Sequence, residues 1–525
     1  MRFASRYLLA VVICGFAFLR PAAQCPKRPD PGTVVEDAVS LNSVNGVLKA
    51  ELTTRHSVDS SGYNHYCQNY KTDKGEVESP TLRLNQGDQL VLDVKDRIES
   101  DDTSGGMDMD MSGLASCGDG GTPALSSTNV HFHGLNVPPI CHQDDVLTTL
   151  LQPDKPAFEY SMQIPKDEPP GLYWYHPHVH GFAEFQVNGG AAGALVVGGM
   201  EKLHPEVAGL TERVFVIRQQ YLVPWVPGPY QLSINYQVAA FPSFPSPIIK
   251  MKPNEKQFWR VANATIQDFM PLQVWFNGKP QQLELIALDG YPLAKPRLQD
   301  TILVPPAGRA EFIVKAPPQD NEAIFISLAY STGPTGNPDL QQELGKIQVS
   351  DDADESQEAK NIAAAPSAPV GHIKFADLSE QKPTTVRKLY FSEEFGGTNG
   401  PIQFYITVDG QKQKVFEANE KPVITTHVGA VEDWIVENHA LETHAFHIHQ
   451  IHFKVLEVDG KPVEDQDLRD TIEIPFWEGP GHPYHSFKGR FDFRDPTIAG
   501  TFVFHCHILL HEDLGMMHKI LVLPK

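Results

Sequence analysis

Three stretches of the chain share one hydrophobic–polar pattern. Residues 79–98 (SPTLRLNQGDQLVLDVKDRI), 246–265 (SPIIKMKPNEKQFWRVANAT) and 421–440 (KPVITTHVGAVEDWIVENHA) each read as a proline-led strand, a polar or glycine turn, and a second strand of alternating apolar and polar positions. Their starts lie 167 and 175 residues apart, the length of one β-sandwich each. Each unit closes on a β-rich run: GALVV at 193–197, GKIQV at 345–349 and KILVL at 519–523. Residues 351–370 (DDADESQEAKNIAAAPSAPV) are acidic, then Ala/Pro-rich, and read as a linker. The pattern predicts an all-β chain of three consecutive sandwich domains over 24–200, 201–350 and 371–525.

Composition agrees. A chain of 525 residues suits about three domains, and 41% hydrophobic with 21% charged residues is a globular mix that excludes a disordered chain or a coiled coil. With 43 Pro and 40 Gly, long helices are not expected. The net charge of −22 argues against nucleic acid or an anionic membrane as partner. At the N-terminus Arg2 and Arg6 precede an apolar run over 7–19 and the small residues Ala22 and Ala23, which is the layout of an export signal over 1–23 and too short to span a bilayer. Its removal leaves 40 cationic against 65 acidic residues, a net charge of −25, and places the protein in the periplasm or outside the cell. Cys14 leaves with the signal. Cys25, Cys67, Cys117 and Cys141 are an even set in an oxidising compartment, so two disulfides are expected, from three possible pairings. Gln24 before Cys25 fits a lipoprotein cleavage site poorly.

The histidines carry the chemistry. Four motifs hold ten of the 22: His131-Phe-His133-Gly134, Trp174-Tyr-His176-Pro-His178, His444-Ala-Phe-His447-Ile-His449, and His505-Cys506-His507 followed by His511. Two motifs fall in the first unit and two in the third, which points to a site shared between those units. In a strand, residues i and i+2 face one way and i+1 the other. His505 and His507 therefore share a face opposite Cys506, and His444, three positions before His447, goes with Cys506. On the cysteine side stand His444, Cys506, His511 and Met516. A His₂Cys set with a weak thioether is the ligand set of a blue copper electron-transfer site. On the other side stand His131, His133, His176, His178, His447, His449, His505 and His507. Eight imidazoles are too many for one metal and suit a cluster of three. Imidazole alone would also admit zinc, iron or nickel, and the adjacent Cys–Met set tips the choice to copper. Four coppers joined by one His-Cys-His tripeptide store the four electrons that take O₂ to two waters.

On these motifs the chain resembles the multicopper oxidases: laccases, bilirubin oxidases and metallo-oxidases. The likeness covers essentially the whole mature chain and implies three cupredoxin-like Greek-key domains. It implies His444, Cys506, His511 and Met516 at a type 1 copper, and His131 and His447 at a type 2 copper. For the type 3 pair it implies His133, His176 and His507 on one ion and His178, His449 and His505 on the other. The ending His511-Glu-Asp-Leu-Gly-Met516-Met517 is more similar to bacterial spore-coat laccases than to fungal ones. Two features depart from the family: His444-Ala stands where His-Pro is usual, and the leader lacks an Arg-Arg pair. Asp144 stands at the spacing of the family's acid near the type 2 copper, with Asp145 as the alternative. Glu512 resembles its acid near the O₂ channel.

His180, His142, His452 and His518 read as bystanders near ligands, His180 packed or at most touching one. Met107, Met109 and Met111 (MDMDM) offer soft donors for Cu(I), but their Gly/Ser/Asp setting reads better as an acidic flexible loop. The resemblance implies a monomeric, exported enzyme without a membrane span that oxidises a phenolic or similar small organic donor and reduces O₂ to water. The alternative is a metallo-oxidase for Cu(I) or another low-valent metal. A copper-free scaffold of the same fold and a nitrite reductase fit less well, because all ten histidines and Cys506 are present.

Overall fold

The computed structural model describes residues 24–99, 116–223, 226–319, 322–351, 360–361, 373–395, 402–464 and 467–525. The leader, the Met107, Met109 and Met111 run, and most of the expected linker lie outside them. Within that linker Lys360–Asn361 forms a short strand against Thr211 and Glu212 of the middle unit.

Each repeated stretch folds as two strands: Thr81–Leu84 with Gln89–Arg97, Ile248–Met251 with Lys256–Asn263, and Ile424–His427 with Ala430–Asn438. Alternation has its physical reason in Gln89–Arg97, where Leu90, Leu92 and Val94 are buried while the residues between them are not. The two strands of each pair belong to different sheets. The first lies parallel to the strand that closes its unit, with Leu82 opposite Leu195, Ile249 opposite Ile347 and Ile424 opposite Ile520. The second lies parallel to an earlier strand, Val47–Val58, Thr211–Val223 or Thr385–Phe395. The same wiring thus recurs three times, and each two-sheet sandwich closes on its own apolar core. The fold is three cupredoxin-like Greek-key sandwiches in series. Among the described residues the longest helix, Ala183–Asn188, has 6 residues.

The units pack closely. Leu172, Trp174 and Ala194 of the first meet Val214, Val216 and Ala262 of the middle one in a buried apolar seam. Gly171 is needed at that seam, because a Cβ there would stand 2.2 Å from the Gly290 carbonyl oxygen. First and third units meet where the backbone N–H groups of Ala183 and Glu184 donate to the Asp513 carboxylate. Two disulfides, Cys25–Cys67 and Cys117–Cys141, tie down the first unit and select one of the three pairings.

Candidate metal centre

The first-unit histidines come from neighbouring strands. His131–His133 pairs antiparallel with Gly171–His176, so that His131 stands opposite His176 and His133 opposite Trp174. In the third unit His444–Ile448 pairs with Gly500–Cys506, which sets His447 opposite His505 and Phe446 opposite Cys506. The two pairs of strands face each other across the domain boundary. There His131 stacks on His449 and His133 on His447, each with ring centroids 3.9 Å apart.

All eight imidazoles are buried. Their nitrogens converge in three groups, His131/His133/His447, His133/His176/His507 and His178/His449/His505, each with donor atoms within 4.8 Å of one another. In the third group the Nε2 of His505 lies 3.1 Å from that of His449 and 3.4 Å from that of His178.

The chemistry of this donor set fits a metal cluster. His131 Nε2, His133 Nδ1, His176 Nε2, His447 Nε2, His449 Nδ1 and both nitrogens of His507 are buried with no hydrogen-bond partner. Each such group costs about 1–3 kcal/mol unless something else engages it. Burial, and then the neighbouring imidazoles, hold His176, His178, His447, His449, His505 and His507 well below the ordinary histidine range. The rings are therefore neutral and keep the lone pair that a metal requires.

On the opposite face of the strand His444 Nδ1 lies 3.5 Å from Cys506 Sγ, His511 Nδ1 lies 3.9 Å from it, and the two imidazole nitrogens are 3.3 Å apart. Phe404 stacks on His511 and Phe391 on His444, fixing both rings. The loop is closed by its own backbone: Cys506 N–H donates to the Met516 carbonyl and Met516 N–H to that of His511. Met516 is fully buried in this loop. Burial pushes the Cys506 thiol up, so its thiolate needs a cation beside it. We expect Met516→Leu to leave the protein blue while raising the potential of this site, since losing a weak sulfur donor disfavours the oxidised ion. Redox titration checks this, and an unchanged potential would take the thioether role from Met516 and leave it to Met517 or another residue.

The acids sort by direction. Asp144 is buried and accepts from His131 Nδ1 at 2.9 and 3.0 Å and from Phe132 N–H at 2.9 Å, and Gln450 Nε2 of the third unit donates to the same carboxylate. That contact leaves His131 Nε2 as the free nitrogen. Asp145 instead turns to the hydroxyl and N–H of Thr148. Glu512 is buried with Oε2 3.2 Å from His505 Nδ1 and Oε1 3.5 Å from His178 Nδ1, and burial, with Asp513 beside it, pushes its carboxyl well up. His180 packs edge-on against Phe416, 4.8 Å between centroids, and His142 stacks on Phe158. His452 Nε2 contacts the Asp289 carbonyl, and His518 lies near Phe504.

Four acids and a base escape sequence reasoning. Glu393 Oε1 lies 3.3 Å from His444 Nε2, and Glu442 Oε2 lies 3.6 Å from His511 Nε2. Burial and the neighbouring Glu393 push the Glu442 carboxyl up to about 8. Asp470, Asp289 and Arg309 form a buried cluster beside His133 and His447. None lies in a recognisable motif. Asp470 stands directly before the short strand Thr471–Ile474 with Asp467 and Glu473 close by in sequence, so nothing local sets it apart.

Family models described as multicopper oxidase match residues 124–202, 217–350 and 396–525, together more than half of the chain. The multicopper oxidase mco of Staphylococcus haemolyticus is 24% identical over 498 residues, covering 88% of this chain and 90% of that protein. A laccase of Bacillus subtilis is 22% identical over 400 residues, covering 68% and 71%. Among solved structures, a multicopper oxidase from Campylobacter jejuni described as a metallo-oxidase superposes with a TM-score of 0.67 at 22% identity, covering 95% of this chain and 96% of that one. A laccase-like multicopper oxidase from Ochrobactrum, active on lignin model compounds, does so with 0.63 at 20% identity, covering 95% and 100%.

Proposed function

The chain belongs to the multicopper oxidase family, a copper-dependent oxidoreductase with O₂ as acceptor, and from that premise we propose that it oxidises a phenolic or similar organic donor one electron at a time and reduces O₂ to two waters. The observation that carries this reading is the His505-Cys506-His507 tripeptide. One side of it faces His444 and His511, the other faces the converging histidines of two units.

In this reading His444, Cys506, His511 and Met516 hold a type 1 copper, and His131 and His447 a type 2 copper. His133, His176 and His507, and His178, His449 and His505, hold the type 3 pair. Bound copper supplies the one-electron chemistry that links donor to O₂. The chain supplies the rest. The tripeptide is a continuous covalent path between the two sites. Asp144 fixes the His131 ring and, at its carboxylate oxygens, takes part in proton delivery. Glu512, whose carboxyl burial pushes up, is a proton reserve beside His178 and His505. Every proposed ligand comes from one chain, so a monomer suffices. Export through the leader suits the two disulfides. Among the described residues no helix is long and apolar enough to cross a membrane.

A second reading has its own support. Glu393 and Glu442 stand at the distal nitrogens of both type 1 imidazoles, where a close pair of acids would give up its proton to a metal cation more readily than it would bind a phenol. Steady-state oxygen uptake on a panel of phenols, bilirubin, Cu(I) and Fe(II) separates the two. We expect kcat/KM highest for a phenol. If Cu(I) or Fe(II) exceeds every organic donor tenfold, and Glu442→Gln removes that advantage, the protein is a metallo-oxidase.

A further inference from the structure

The middle unit supplies none of the proposed ligands, yet its Arg309 is fully buried where the three units meet. All five of its N–H groups are engaged. Nε donates to the Leu172 carbonyl of the first unit at 3.2 Å, and Nη1 to the Ala307 carbonyl at 3.1 Å and to Asp470 Oδ1 at 2.7 Å. Nη2 donates to the Asp289 carbonyl at 2.8 Å and to Asp470 Oδ2. One side chain thus grips all three units; the carboxylate it hydrogen-bonds is Asp470 of the third, and the Asp289 carboxylate lies 3.8 Å from Nη1.

Asp470 in turn touches two of the proposed ligands. Its Oδ1 lies 3.4 Å from His133 Nε2, and its main-chain carbonyl accepts from His447 Nδ1 at 2.9 Å. The Thr471 hydroxyl donates to the same Oδ1 at 2.9 Å. With Nε2 engaged, the nitrogen left free on His133 is Nδ1, and with Nδ1 engaged, the one left free on His447 is Nε2. Those are the two nitrogens of these rings that lack a partner. The two rings stack at 3.9 Å with 16° between their planes, so turning either would disturb both. The first unit is shaped to this ion pair as well. A Cβ on Gly134, the residue after His133, would stand 2.5 Å from Arg309 Nη2 and 2.8 Å from Asp470 Oδ2.

We propose that Arg309 and Asp470 are positioning residues of the trinuclear copper site, Arg309 holding Asp470 in place and Asp470 setting which nitrogen of His133 and of His447 faces the metal. The inference rests on the ligand reading above. A partner that orients a ligating imidazole typically contributes 10–100-fold in metal affinity. Were the cluster only a staple between units, its loss would lower thermal stability and leave the metal geometry alone.

The test uses copper-loaded wild type, Asp470→Asn and Arg309→Lys. Both changes conserve size, and the second keeps the charge while losing the fork. Each protein is dialysed against graded chelator, and copper per chain, the type 2 electron paramagnetic resonance spectrum and the blue absorption are followed. We expect both variants to lose trinuclear copper at chelator concentrations at least tenfold lower than wild type, with an altered type 2 spectrum and the blue absorption retained. Retention and spectrum equal to wild type in Arg309→Lys and Asp470→Asn would overturn the proposal, whatever the melting temperatures. So would parallel loss of blue and trinuclear copper in both, which marks general collapse. Should Asp470→Asn not fold, Arg309→Lys decides on the same readings. A wild-type protein without a type 2 signal would instead remove the ligand assignment beneath the proposal.

Discussion

Cys506→Ser is expected to bleach the protein and abolish oxidation of every donor while about three of four coppers remain bound. The side chain lies between His444 Nδ1 and His511 Nδ1, at 3.5 and 3.9 Å, and supplies the only sulfur anion of that site. A serine hydroxyl is a harder donor and does not ionise in a buried apolar setting, so type 1 affinity and colour both go. The eight imidazoles of the other site lie across the strand, with Phe446 rather than a ligand opposite Cys506. Their convergence does not depend on the thiol. The swap is nearly isosteric, and the buried hydroxyl should lower stability by only about 1–3 kcal/mol, which leaves a folded protein to measure. Copper analysis, visible absorption and oxygen uptake on one preparation check it. A Cys506→Ser protein that stays blue would sink the type 1 assignment.

The strand pairs were legible because a strand buried on one face writes period two into the sequence, as in Leu90, Leu92 and Val94. Which strands they join was not. Leu82 lies opposite Leu195, and nothing local to either announces a partner more than a hundred residues away. The ligands were legible for a similar reason: His-x-His places two rings on one face, and four such motifs leave little freedom. That logic weakens where strands end. Gly171–His176 stops at His176, so parity along it reaches neither His178 nor His180; His178 still joins the histidine cluster, while His180 turns to Phe416. Single charged residues were beyond reach. Arg309 and Asp470 are 161 residues apart, and Asp470 and His133 are 337 apart. Each is unremarkable in its own segment, and only the docking of three units brings them together. The cysteines belong to the same class, since all three pairings satisfied the sequence and the fold chose one.

Asp144→Asn is expected to slow reoxidation of the fully reduced enzyme by O₂ about 100-fold while leaving reduction by the organic donor within about twofold of wild type. Its surroundings sharpen the expectation. Every group aimed at the Asp144 carboxylate is a donor: His131 Nδ1, Phe132 N–H and Gln450 Nε2. An asparagine keeps one acceptor oxygen and turns an NH₂ against donors on the other side. The change therefore removes the negative charge and loosens the His131 ring, both of which act at the O₂ site. The donor's site is spared, because His444, Cys506 and His511 lie on the far face of the strand and share no contact with Asp144. Rapid mixing with O₂ separates the two half-reactions. The Asp145→Asn control should reoxidise like wild type, since that carboxylate is spent on Thr148. Equal slowing in both variants would show that lost acidic charge, rather than the hold on His131, governs the step. Wild-type reoxidation in Asp144→Asn would exclude this carboxylate and leave Glu512, between His178 and His505, as the remaining buried acid, among the described residues, in contact with ligands of the O₂ site from outside the Arg309 cluster.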